Sequence, residues 1–315
     1  MKGKFILGLS LILSGGWIGC AGTPIPPIET AQDTFSERIP NEWAGRTFSE
    51  ILPPQGIKHI LLLDDAAFRN PFFLPKPSAQ ETQDYYIQLF EHLERSGEKT
   101  SAPGLADNEM TRAQFAVITK SGDVLRVQAL SKGGPEAVSS VLISGHGIEA
   151  RINIEDFQRS SATNQPVVAA KQPQLNVETD YLLDQKPGDW AGVRFGQIIQ
   201  PGKIKRVILF QQAADILNYV NGQQERQKCY ESLFNRFEAS NQKGETISVT
   251  KDETRLAEFI LITDSGEVIH LEIVGTLPRM ENGSLVGNHI AGVVIHGPGK
   301  GVRINLNILP ATSAK

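Results

Sequence analysis

The stretch EWAGRTFSEILPPQGIKHILLLDDA, residues 42–66, returns as DWAGVRFGQIIQPGKIKRVILFQQA, residues 189–213. At an offset of 147, residues 33–66 align with 180–213 without a gap. Twelve of those 34 positions are identical: Asp33, Pro40, Trp43, Ala44, Gly45, Phe48, Ile51, Pro54, Ile57, Lys58, Leu62 and Ala66. Unrelated sequence would match at roughly two, so the chain contains an internal duplication. The match resumes at an offset of 144, where Tyr86, Leu89, Phe90 and Glu94 meet Tyr230, Leu233, Phe234 and Glu238. Phe115, Ile118, Thr119, Ser121, Gly122 and Val124 likewise meet Phe259, Ile262, Thr263, Ser265, Gly266 and Val268, and GIEARIN later answers GKGVRIN. A period this long, seen twice, predicts two tandem homologous domains, residues 33–157 and 180–309, rather than a solenoid.

Each copy spells the same elements. IKHILLL and IKRVILF are short apolar runs, each a buried strand. A helix follows, with Ser78 as its cap and Glu81 completing a capping box; Asn221 takes the cap position in the second copy. Tyr86, Leu89, Phe90 and Leu93 fall at helical spacing, as do Tyr230, Leu233, Phe234 and Phe237, so one helical face seeks a surface to cover. FAVITKSGDVLRVQAL and FILITDSGEVIHLEIVG each read as a hairpin, with Gly122 and Gly266 supplying positive φ at the turn. VSSVLISGHGIEARINI and AGVVIHGPGKGVRINL read as a second hairpin. The fold class expected is α+β, with the order β-α-β-β-β-β and one helix on an antiparallel sheet in each domain. This order resembles the cystatin-like roll at the level of fold alone. The inhibitory Q-x-V-x-G turn is missing, since QALSKG from Gln128 departs from it, and no function follows from the resemblance.

The first residues are of another kind. MKGK carries two positive charges, FILGLSLILSGGWIG is an apolar run too short to span a bilayer, and WIGC closes it. Gly19 before Cys20 resembles a bacterial lipoprotein precursor, in which that cysteine becomes lipidated and N-terminal; Trp17 departs from the usual aliphatic residue. Ordinary signal cleavage after Ala21 and an uncleaved anchor are the other two readings. The expectation is a signal peptide over residues 1–19, lipidation at Cys20 and a mature chain of 296 residues with net charge −6. Ala21 resembles the sorting pattern for an outer membrane, in a host that has two. Residues 20–32, rich in proline, read as a tether, residues 158–179 as a linker and residues 310–315 as a tail.

No basic cluster gives a footprint for nucleic acid. With Cys20 acylated, Cys229 has no disulfide partner, and it reads as a helix-flank thiol. The candidate chemistries fail one at a time. Asp264-Ser265-Gly266 faces Lys120-Ser121-Gly122, so a two-lobed aspartic dyad lacks a carboxylate. Gly145, Gly147 and Ala150 have dinucleotide spacing but lead into a strand pattern rather than a helix. His270 and His296 fall on neighbouring strands, but their counterparts are Arg126 and Ser144 and no third ligand is indicated, so they read as ordinary sheet or surface histidines.

Trp43 and Trp190 read as caps on their own cores, with a binding anchor as the alternative. Arg151 and Asn153 recur as Arg303 and Asn305. They form an exposed binding strip, or else a sheet edge or a salt bridge to the helix-end acids Glu94 and Glu238. No catalytic residue, cofactor or metal is expected. The reading is a lipid-anchored envelope protein, on the membrane and with an envelope partner, that binds, adapts or supports. The alternative is an envelope hydrolase or small-ligand carrier with a site between the copies.

Overall fold

Ile57–Asp65 (β2) buries Ile60, Leu61, Leu62 and Leu63 in succession, which requires cover on both faces of the strand. The computed structural model shows what the two covers are. It describes residues 26, 28–30, 43–66, 77–102, 108–132, 137–145, 148–158, 175–179, 190–212, 223–248, 253–276, 279–281, 284–286 and 289–306.

On one face lies the helix Ala79–Ser96 (α2), preceded by the single turn Phe48–Ile51 (α1). Ser78 caps α2 as expected: its hydroxyl accepts from the Glu81 amide at 3.2 Å, and the Glu81 carboxylate accepts from the Ser78 amide at 2.7 Å. Gly97, at φ 64°, ends the helix. Tyr86, Leu89, Phe90 and Leu93 are buried against the sheet, where the Tyr86 and Phe90 rings meet Phe115 edge to face. The sheet is completed by Glu109–Thr119 (β3), Val124–Lys132 (β4), Ala137–Gly145 (β5) and Ile148–Gln158 (β6), each antiparallel to its neighbour. The second half repeats this plan with Phe195–Ile198 (α3), Ile204–Gln212 (β8), Gln223–Ala239 (α4), Glu253–Thr263 (β9), Val268–Thr276 (β10), His289–Gly297 (β13) and Lys300–Asn305 (β14). It adds one small hairpin, Arg279–Glu281 (β11) with Ser284–Val286 (β12), that the sequence pattern did not announce. Gly122 and Gly266 take φ of 92° and 81° at the hairpin turns, as the sequence required. Asn221 and Gly147 lie outside the described residues, and Cys229 falls in α4, its side chain also outside them.

The other cover is the opposite sheet. Leu61, Leu63, Ala116, Ile118 and Val124 pack against Ile208, Phe210, Ile260, Ile262 and Val268 in one cluster. These are the same five positions of each half, at the offsets of 147 and 144. The two sheets therefore meet face to face, with a helix on the far side of each, and the chain is a mixed α+β structure of two six-stranded sheets.

Each sheet takes its sixth strand from the segment that precedes the other half. Ile28–Thr30 (β1) runs parallel to β8, with Ile28 opposite Val207; Val177–Glu178 (β7) runs parallel to β2, with Val177 opposite Ile60. Ile60 and Val207 are matching positions, so the exchange is reciprocal. Ile28 joins the second half's core and Val177 the first half's. The contacts around the two strands also correspond. Gln227 Oε1 accepts from the Ile28 amide at 2.7 Å, and its counterpart Gln83 donates to Asn176 at 2.8 Å. Arg206 holds Glu29 at 2.5 Å, and its counterpart His59 meets Glu178 at 2.6 Å. Part of the expected tether and part of the expected linker are thus strands. They cover the edges of β2 and β8, which would otherwise present unpaired backbone along a hydrophobic strand.

Candidate functional site

The surface between the sheets is apolar at one end and polar at the other. The polar end holds Arg255 and Glu258 on β9, His270 and Glu272 on β10, and His296 on β13. Register places His270 directly opposite both His296 and Ile260. The two imidazoles lie 5.4 Å apart between centroids and nearly parallel. His270 Nε2 meets Glu258 Oε1 at 2.7 Å, and Glu272 Oε1 lies 3.8 Å from His270 Nε2 and 3.9 Å from His296 Nε2. The third ligand-type group absent from the sequence reading is therefore Glu272, two residues along the same strand face from His270. Both histidines are buried, so neither is a surface histidine. Their Nδ1 atoms have no hydrogen-bond partner. The guanidinium of Arg255 donates to Glu272 at 2.8 Å and stands 3.4 Å from Glu258. From the first half, Gln114 donates to Glu258 at 2.8 Å and itself accepts from Arg126 at 3.1 Å.

Burial holds the His296 imidazole down at about 4, against the attraction of Glu272. Burial opposes ionisation of Glu258, but Arg255 and His270 outweigh it and hold the carboxyl at about 2. Glu272 is lowered as well, by Arg255 above all, again against the cost of burial. The sign of the pH dependence follows. Between its unfolded value of 6.5 and its folded value of about 4, His296 binds more proton in the unfolded chain, so stability falls as the pH drops through that window. Glu258 adds a further loss from 4.5 down towards 2. In chelator-containing buffer, urea unfolding at pH 4.5 should give a stability about 2–3 kcal/mol below that at pH 7.5. His296→Ser, which installs the counterpart of Ser144, should flatten the slope between pH 6.5 and 4. An unchanged slope would contradict the assignment.

A second feature lies at the far end of the first half's core. Each half carries a glycine, Gly145 or Gly297, whose open side is filled by a neighbour. A Cβ at Gly297 would lie 2.5 Å from the Trp190 ring, which is also covered by the Lys300 ammonium at 5.6 Å. A Cβ at Gly145 would instead strike Leu125. Leu125 takes that place in the first half, and Trp43 packs elsewhere against its core. It lines a groove of about 400 Å³ with Ile51, Leu52, Pro53, Gly56, Thr119, Lys120, Ser121, Asp123 and Leu125. Both tryptophans are half-buried against their cores.

The repeated Arg-x-Asn is not an exposed strip. Arg151 is buried and grips both carboxylate oxygens of Glu109, one at 2.6 Å, while donating to Asn153 at 2.7 Å. Arg303 grips Glu253 at 2.6 and 2.7 Å and donates to Asn305 at 2.6 Å. The partners are the matching acids Glu109 and Glu253 at the starts of β3 and β9, not the helix-end acids Glu94 and Glu238. Burial explains this: a guanidinium there needs a partner reachable on its own sheet face. Asn153 is exposed and Asn305 half-buried. Lys120 and Asp264 are exposed turn residues and build no dyad. Beyond Gly145 the chain runs into β6, a strand, as the sequence pattern had it.

Among the described residues no helix is long and apolar enough to cross a membrane. No protein family, curated protein or solved structure matches the chain. Its class is defined by its own geometry, an α+β protein with two sheets back to back and reciprocally exchanged edge strands.

Proposed function

We propose that this is a lipid-anchored envelope protein whose folded body is a non-catalytic binding module, with the groove beside Trp43 as its ligand face. The groove carries the reading. Its floor is apolar, from Trp43, Ile51, Leu52 and Leu125, and its rim carries the Lys120 side chain with the hydroxyls of Thr119 and Ser121. A volume of about 400 Å³ suits a small molecule or a chain end. The rim holds one cation, Lys120, and one carboxylate, Asp123, beside the apolar lining, so the ligand that fits is small and amphipathic.

An anilinonaphthalene sulfonate probe tests this on the purified mature chain. Saturable one-to-one binding is expected, with Trp43→Ala weakening it by roughly tenfold or more, while Trp190→Ala leaves it within about twofold. Equal binding by wild type and Trp43→Ala would remove the groove from consideration.

The anchor is supported by the apolar segment ending at Gly19-Cys20. Ile28 lies eight residue steps after Cys20, with seven residues between them. The full extension of those steps is about 26–29 Å, so lipidation would hold the β1 edge of the second sheet close to the bilayer. Mass spectrometry of the protein from its native envelope should find acyl chains on an N-terminal Cys20, and Cys20→Ala should block processing. An unmodified N-terminus at Gly22 would overturn the anchor without touching the groove.

A further inference from the structure

We infer that His270, Glu272 and His296 form a binding site for a divalent transition metal of the zinc type, with Arg255 as the cation that occupies its place when the metal is absent. Imidazole nitrogens with a carboxylate oxygen are the donor set such ions prefer. Two of the donors are held in register by direct cross-strand pairing of β10 with β13, and the third follows on the same face of β10. All three donor groups lie within 4.8 Å of one another. Closing onto a metal asks the pairs at 3.8 and 3.9 Å to draw in by about half an ångström. For His270 Nε2 to take the metal, its 2.7 Å hydrogen bond to Glu258 must be given up, and the freed Glu258 carboxylate then lies beside the ion.

The duplication supplies an internal control. The positions of Arg255, Glu258, His270, Glu272 and His296 are held in the first half by Thr111, Gln114, Arg126, Gln128 and Ser144. The apolar positions of the same sheet face stay apolar in both halves. Packing two sheets together therefore does not require a His, Glu, His cluster, and the second half carries one. Its charge balance points the same way. Asp64, Glu258 and Glu272 surround Arg255, and with Arg126 the buried group holds three carboxylates to two guanidiniums. A divalent ion replacing Arg255 would add one positive charge to a group in which carboxylates outnumber guanidiniums. Replacement is sterically open, because the Arg255 side chain is 27% exposed and those of Glu272 and His296 reach solvent at 13% and 10%.

The test uses Co²⁺ and Zn²⁺ on the chelator-stripped mature chain. One Co²⁺ per chain should bind with the visible absorption of a four-coordinate nitrogen–oxygen site, Zn²⁺ should displace it, and the melting temperature should rise. Arg255→Thr, the counterpart of Thr111, should tighten binding by roughly tenfold because it removes the competing cation. His270→Arg with His296→Ser, both residues that the first half accommodates, should abolish the spectrum. If that pair fails to fold, His296→Ser alone should weaken binding by at least roughly tenfold. Absence of a Co²⁺ spectrum and of a Zn²⁺ stabilisation in both wild type and Arg255→Thr would overturn the inference. So would undiminished binding in the histidine variants.

Discussion

Ile260→Asp should leave the chain without a cooperative fold. Ile260 lies at the centre of the cluster that joins the two sheets and is fully buried, with Ile208 and His270 beside it on the neighbouring strands. A carboxylate there is cut off from water, and the nearby guanidinium of Arg255 is committed to Glu258 and Glu272. Burying an unpaired charge costs several kcal/mol even after its pKa adjusts, and the lost isoleucine contacts add about 2–5. The sum meets or exceeds the stability of an ordinary domain. Ile260→Val, which removes one methylene, should cost only about 0.5–1.5 kcal/mol. Circular dichroism and urea unfolding of the two variants give the comparison. A folded Ile260→Asp with near wild-type stability would mean that the two sheets do not meet there.

The second large effect is expected at the Arg-x-Asn pairs. Arg151→Met should cost about 3–5 kcal/mol, because it strands the Glu109 carboxylate, whose side chain is fully buried. The Ser140 hydroxyl, at 3.2 Å, is a neutral donor and does not replace the lost guanidinium charge. Replacing both partners, Arg151→Met with Glu109→Leu, should recover much of that loss, since an apolar pair leaves no buried charge. Chemical denaturation of the two single variants and the double completes a mutant cycle. An Arg151→Met loss below about 1 kcal/mol would indicate an exposed, solvated pair, and the strip would again be available for binding.

Much of each half was legible from local pattern. The helix face at Tyr86, Leu89, Phe90 and Leu93, its Ser78 cap and the glycine turns at Gly122 and Gly266 all follow from spacing and turn chemistry that act within a few residues. The joining of the halves was harder to read because it is carried by distant contacts. Its signals are nonetheless present. Phe115, Ala116, Val117 and Ile118 form an unbroken apolar run, as do Phe259 to Ile262, and strands covered on one face alone would alternate. The tripeptides Ile28-Glu29-Thr30 and Val177-Glu178-Thr179 are a further repeat, at an offset of 149, that lies inside segments rich in polar residues and proline. Composition marked those segments as connectors; strands of three and two residues were too short to show as a period. The His, Glu, His cluster was half visible. The sequence put two histidines on neighbouring strands, but only register brings Glu272 within reach of both, and only the back-to-back sheets bury them.

The reciprocal joining of the halves is tested most directly by unfolding each half under its own reporter. After removal of residues 1–19 the chain keeps two tryptophans, Trp43 in the first half and Trp190 in the second. Trp190→Phe leaves a fluorophore that reports only on the first half, and Trp43→Phe leaves one that reports only on the second. In urea, both variants and the circular dichroism of each should follow one coincident transition, with an m value appropriate to the whole body rather than to half of it. Two separated transitions, each with the m value of a half, would show that the exchanged strands and the ten-residue cluster do not join the halves.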